Sequence, residues 1–274
     1  MKLNTNVSSL NAQRNLSETG QKISVSSSRL ASGYRVNSAS DDAAALSISN
    51  KLDANIRSRQ TASRNAVDGI SALQVADGAI NGIHKQLIRM RELAMQAANA
   101  TYQDSERETI DYEVQQIKAE INRISSSTKY DSRSLINGNN SQFSIVVDKG
   151  AGSNDIINIK MDKLAQDSHA LGIFDVHVNS QMRAQYALQK IDFAMNEVSL
   201  SMADVGANMN RLQSAINNLQ TTNLNSQAAK STIKDTDYAD ETATMVKEKV
   251  KSNAATNVLA QANNLGKTAL KLVE

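Results

Sequence analysis

Leu188, Ile191, Met195, Val198, Met202, Val205, Met209, Leu212, Ile216 and Leu219 follow one another at alternating steps of three and four residues. That step is the period at which one helix packs along another. A second seam of the same kind runs through Leu73, Ala76, Ile80, Ile83, Leu87, Met90, Ala94 and Ala97. Each seam occupies one face of its helix, so each helix needs a partner or leaves that face wet. A fully buried large side chain is worth about 1.5–3 kcal/mol before conformational entropy is subtracted. The two seams therefore predict an antiparallel pairing of the two halves of the chain. Whether the seam from Leu188 to Leu212 serves an intramolecular core or an assembly contact is open at this level, and the two roles are compatible.

Composition permits such rods. The 274 residues contain no Pro, no Trp and no Cys, and 3% are aromatic. Without proline, nothing imposes a kink on a long helix, and without cysteine there are neither disulfides nor thiolate metal sites. Thirty basic and twenty-eight acidic residues are interspersed, giving a net charge of +2, which argues against a basic nucleic-acid stripe. Residues 1–7 have no apolar core of a cleavable signal, and no window approaches eighteen apolar residues, so neither a secretory signal nor a membrane span is expected.

Along the chain, residues 5 to 34 read as a weak helix with Leu3, Val7, Leu10, Leu16, Ile23 and Leu30 on one side and many Ser and Asn elsewhere. Such a segment is expected to order only against a partner. Asp41 and Asp42 read as the cap of a helix running to about Ala100, across Gly69, Gly78 and Gly82. Asp104 or Ser105 is expected to cap a third helix carrying Ile110, Val114, Ile117, Ile121 and Ile124. Phe143–Val147 and Ile156–Ile159, with turns at 137–140 and 149–154, predict a β-hairpin. Phe174–Val178 reads as a further short strand. The long seam follows from about residue 180 to Leu224. After a polar break at 233–238, a last helix carries Val246, Val250, Leu259, Ala262, Ala269, Leu270 and Val273.

The fold class is thus mainly α, a long antiparallel bundle with a small β-hairpin region in the middle. The expected division has residues 1–41 pairing with 235–274, a helical core of 42–128 and 180–234, and a hairpin region of 129–179. No catalytic constellation is read from the sequence. His84, His169 and His177 match no metal spacing and are read as packed or solvated residues, no H-E-x-x-H motif occurs, and Gly150-Ala151-Gly152 lacks the strand and helix of a phosphate loop. Neither cofactor nor metal is expected, and the methionines read as gap-filling core.

Three stretches carry a family resemblance. Residues 32–49, SGYRVNSASDDAAALSIS, resemble the N-terminal signature of bacterial flagellins, with Ala45 where that family usually has Gly. Residues 89–96, RMRELAMQ, are similar to its R-x-R-E-L-x-x-Q stretch, and 122–138, NRISSSTKYDSRSLING, to its hairpin lead-in. Residues 233–239, IKDTDYA, and 258–263, VLAQAN, resemble its C-terminal elements. Further departures are Leu265-Gly266, near where many members carry proline, and Glu274 in place of a basic residue.

The resemblance implies a non-enzymatic subunit of the extracellular flagellar filament, exported unfolded by the flagellar type III system and serving motility. It implies terminal helices that line an inner tube, a helical core that forms an outer tube, and no large outer domains. It also implies partners: further copies of the chain, an export chaperone, filament cap and junction proteins, and a Toll-like receptor, with Arg89, Leu93 and Glu113 at positions matching receptor contacts. Salt bridges and helix packing are the alternative role for those three. A hook–filament junction protein and a soluble coiled-coil adaptor are the other readings; membrane and nucleic acid are not expected partners.

Overall fold

The computed structural model describes residues 6–138, 142–148, 150, 152, 155–161 and 164–271, with side chains described through residue 264. Five helices follow in order: α1 (Val7–Ser32), α2 (Ala43–Ala98), α3 (Asp104–Ser127), α4 (Gln181–Lys234) and α5 (Tyr238–Lys271). Between α3 and α4 lie two antiparallel ladders, β1 (Lys129–Tyr130) with β2 (Arg133–Ser134), and β3 (Phe143–Val146) with β4 (Ile156–Ile159). The expected Leu3, most of the 149–154 turn, and Val273 and Glu274 lie outside the described residues, as do the side chains of Leu265, Ala269 and Leu270.

Local chemistry sets the helix starts. Asp42 opens α2, its Oδ1 accepting from the Ala45 N–H at 2.9 Å. Asp41 does a different job: its Oδ2 accepts from Asn37 N (3.1 Å), Ser38 N (2.9 Å) and Ser38 Oγ (3.0 Å), closing the loop before the helix. Neither Asp104 nor Ser105 caps α3. That place belongs to Gln103, whose N–H donates to the Glu106 carboxylate at 2.9 Å, a reciprocal arrangement that satisfies an otherwise orphaned donor. Gly69, Gly78 and Gly82 interrupt nothing, because α2 continues unbroken through all three.

The chain divides into two compact units, residues 1–56 with 224–274, and residues 57–223. In the larger unit, the seam of α2 from Leu73 to Ala97 is buried together with Ile191, Val198, Val205 and Leu212 of α4 and Val114, Ile117 and Ile121 of α3. Arg91 of α2 pairs with Asp192 of α4 across the bundle at 2.7 Å. The β3–β4 hairpin adds Ile145, Ile157 and Ile159 to the same core, as a two-stranded ribbon requires for stability. Gly69 makes room for it: a Cβ there would stand 2.2 Å from Ile145 Cδ1. The β1–β2 turn, absent from the sequence reading, places Asp131 at φ 45° and Ser132 at φ 67°, the two positive φ values of a tight hairpin turn.

Phe174–Val178 is not a strand. Three of its backbone groups are taken by side chains of α3 instead. Lys118 Nζ donates to the carbonyls of Phe174 (2.6 Å) and Val176 (3.2 Å), and the Val178 N–H donates to Asp111 Oδ1 (2.7 Å). With these groups engaged, and the Val176 N–H turned back onto Ile173 O at 3.2 Å, the segment lacks the free alternation of donors and acceptors that a ladder needs.

Candidate assembly surfaces

In the smaller unit α1 and α5 run antiparallel. Asn6 Nδ2 donates to Ala262 O at 2.8 Å and Ser9 Oγ to Asn263 Oδ1 at 2.9 Å at one end. At the other end Tyr238 donates its hydroxyl proton to Leu30 O, and Arg29 lies 3.6 Å from Glu241. The covered residues of α1 are Ala12, Thr19 and Ser26, with Leu16, Ile23 and Leu30 half-buried between them. On α5, Glu241, Glu248 and Ala262 are buried while Met245, Ser252, Ala255 and Leu259 are half-buried. Both sets step by four and three, which is a coiled-coil seam.

Its most buried positions are small or polar, alternating with the half-buried Leu16, Ile23, Leu30, Met245 and Leu259, and several further aliphatic residues stand outside it. Val7 is 57% exposed, Leu10 55%, Val246 52%, Val250 62% and Val258 55%. The sequence reading set Val7 and Leu10 on one side with Leu16, Ile23 and Leu30; in the structure the first two point to solvent. The polar character of the seam hid this from a reading based on apolar spacing. Ion pairs support each helix separately: within α1, Lys22 holds the Glu18 carboxyl below the usual carboxylate range, and within α5, Lys251, 2.6 Å from Glu248, does the same there.

Where α1 gives way to α2, Gly33 takes φ 74° and its N–H closes on Arg29 O at 2.8 Å. Tyr34 forms an isolated bridge with Asp235, Arg35 N donates to Lys234 O at 2.7 Å, and Lys234 Nζ sits 4.4 Å from the Tyr34 ring centroid. Lys230 and Asp53 pair at 2.6 Å between α4 and α2. The motif stretches 32–49 and 233–239 are therefore in contact with each other.

The eight residues of the α4 seam lie within the chain. Ile191, Val198, Val205 and Leu212 are fully buried, and Leu188, Met195, Met202 and Met209 pack partly buried against the same core. Arg89 and Glu113 form an exposed pair between α2 and α3, with Arg89 Nη2 and Nε donating to Glu113 Oε1 at 2.8 and 3.0 Å and Nη1 to Glu92 at 3.4 Å. The Glu113 carboxylate raises the Arg89 pKa above its ordinary value. Leu93 belongs to the core at 3% exposure and lies beneath that surface.

His177 pairs with Asp111 at 3.1 Å, His169 stacks on Phe174 with centroids 4.0 Å apart, and His84 is half-buried. Among the described residues no three His, Asp or Glu gather as a metal site, and no helix is long and apolar enough to cross a membrane.

Residues 3–141 match the bacterial flagellin N-terminal helical region, and residues 188–273 the bacterial flagellin C-terminal helical region. The chain is 35% identical to a flagellin of Halalkalibacterium halodurans over 276 aligned positions, covering all of both chains. It is 42% identical to flagellin A of Vibrio anguillarum over 170 residues, 62% of this chain and 44% of that relative. Among solved structures it is similar to Bacillus cereus flagellin, at 28% identity and a TM-score of 0.50 over 57% of this chain and 88% of that one.

Proposed function

The chain belongs to the bacterial flagellin family, and from that membership we propose that it is a structural subunit of the flagellar filament, polymerising with copies of itself. One observation carries the reading: the α1–α5 pair closes its own seam and still leaves Val7, Leu10, Val246, Val250 and Val258 outside it. Apolar residues on both helices of one pair offer neighbouring copies more than one face. A contact repeated by a screw operation does not close, so it generates a fibre. Catalysis plays no part in this role.

Finer assignments follow from the same premise. Residues 1–41 and 235–274 form the inner tube and the helical core the outer one, and the subunit is exported unfolded to the extracellular filament for swimming. An export chaperone and the cap and junction proteins handle it on the way. Arg89 and Glu113 supply charged contacts to a Toll-like receptor, with Leu93 acting from below by holding α2 against α3.

Seeded elongation tests the proposal. Purified chain added to sheared filament fragments is expected to extend them into tubes visible by electron microscopy. Leu10→Asp and Val250→Asp are expected to stop growth while leaving helical content by circular dichroism unchanged. Growth undiminished in both variants would overturn the reading. A junction role predicts instead that the chain is present in only a few copies per sheared filament, which quantitative mass spectrometry counts.

A further inference from the structure

Two Asn-Gly pairs occur in the chain, Asn81-Gly82 and Asn137-Gly138, and the fold treats them in opposite ways. Asn81 lies inside α2, exposed, with its Nδ2 donating to Asp77 O at 3.0 Å and to Asp77 Oδ2 at 3.2 Å. In a helix the N–H of the following residue is directed along the axis into the ladder, away from the Asn side chain. Asn137 lies in a turn, and Gly138 is exposed with φ 73°. A glycine there places no Cβ between its own nitrogen and the preceding side chain. The residue before is fixed: Ile136 is fully buried, and its carbonyl accepts from Ser125 Oγ and Gln166 N, both at 2.9 Å.

We propose that Asn137 is a site of spontaneous covalent modification, converting through a cyclic imide to aspartate and isoaspartate, while Asn81 is protected by its helix. The Gly138 backbone nitrogen, having lost its proton to solvent base, attacks Asn137 Cγ. The new C–N bond closes a five-membered ring, the Cγ–Nδ2 bond breaks, and ammonia leaves with the proton returned by solvent. Water then opens the ring at either carbonyl. Opening one side gives Asp; opening the other gives isoaspartate, which runs the main chain through Cβ and Cγ and inserts one extra backbone atom between the anchored Ile136 and Gly138. No electrons change hands, and the net reaction is uptake of water and release of ammonia. Either product adds one negative charge, taking the formal net charge of +2 down by one unit. This inference is independent of the assembly reading, and it matters for any chain that outlives its synthesis by days.

The experiment ages the purified full-length chain at mildly alkaline pH, native and in urea, followed by peptide mapping. The native Asn137 peptide is expected to gain about 1 Da and to split into Asp and isoaspartate forms, at least about tenfold faster than the Asn81 peptide. In urea that ratio is expected to fall towards one, because both sites then share the flexibility of an unfolded chain. Isoaspartyl methyltransferase labelling should appear in the native chain's Asn137 peptide and be lost from that peptide in Asn137→Gln, whose longer side chain cannot close the five-membered ring. Equal native rates at the two sites, or an Asn137 that stays intact when folded while converting in urea, would overturn the proposal. Since Asn81 is the more exposed of the two, faster conversion there would show that exposure, not backbone conformation, decides.

Discussion

Lys118 is a single side chain doing the work of a missing strand. Buried at 8% exposure, it gives two N–H groups to the carbonyls of Phe174 and Val176, and burial pushes its pKa below the ordinary lysine value. Replacing it by Met keeps the volume but leaves two carbonyls without those donors, a loss of about 1–3 kcal/mol, measurable as a lower urea midpoint. Acidic residues of the smaller unit make a pH prediction. Asp41 is held below its ordinary pKa by the Ser38 and Asn37 N–H groups, Glu18 by Lys22, and Glu248 by Lys251. Because these folded-state values are depressed, their stabilisation is complete above the unfolded pKa values and disappears as pH falls through the folded ones. Helix content during urea unfolding should therefore resist acidification to about pH 5 and weaken steadily towards about pH 2, and Asp41→Asn should remove part of that dependence.

At the scale of elements, the packing of a hairpin onto a helix depends on one absent side chain. Gly69→Val would thrust branched atoms into Ile145 and Leu212, where even a Cβ stands 2.2 and 3.3 Å away. A cost of about 1–3 kcal/mol is expected, and amide exchange should quicken in β3 and β4 before it does in α3. Leu87→Ala, fully buried on the α2 seam, should cost about 2–5 kcal/mol, seen as a fall in the melting midpoint. The helices themselves were legible because seams at Leu73–Ala97, Ile110–Ile124 and Leu188–Leu219 repeat at a period nothing else produces. The β3–β4 hairpin was legible from Phe143–Val147 and Ile156–Ile159 flanking a turn. The 174–178 segment was misread since its strand-like residues say nothing of Lys118 and Asp111, some sixty residues earlier in sequence. In the α1–α5 seam Leu16, Ile23, Leu30, Leu259 and Ala262 were legible as apolar positions, whereas Thr19, Ser26, Glu241 and Glu248 escaped because they do not look like core.

For the whole molecule, the outward aliphatic residues and the mixed charge set how assembly should respond to solvent. Seeded elongation should quicken with added ammonium sulfate, which strengthens apolar burial, and change little between low and moderate sodium chloride, because no single-sign field drives association. Light scattering of growing seeds measures both, and a steep loss with sodium chloride would point to ion pairs in place of apolar faces. The smaller unit is stitched from residues 1–56 and 224–274, with α1 closing on α5 across more than two hundred positions of sequence. When a ribosome delivers this chain, α1 emerges first and must wait, its Leu16, Ile23 and Leu30 uncovered, until synthesis reaches α5. Throughout that interval the nascent chain is sticky in a way the finished one is not, and a message cut short before codon 238 would leave it so permanently.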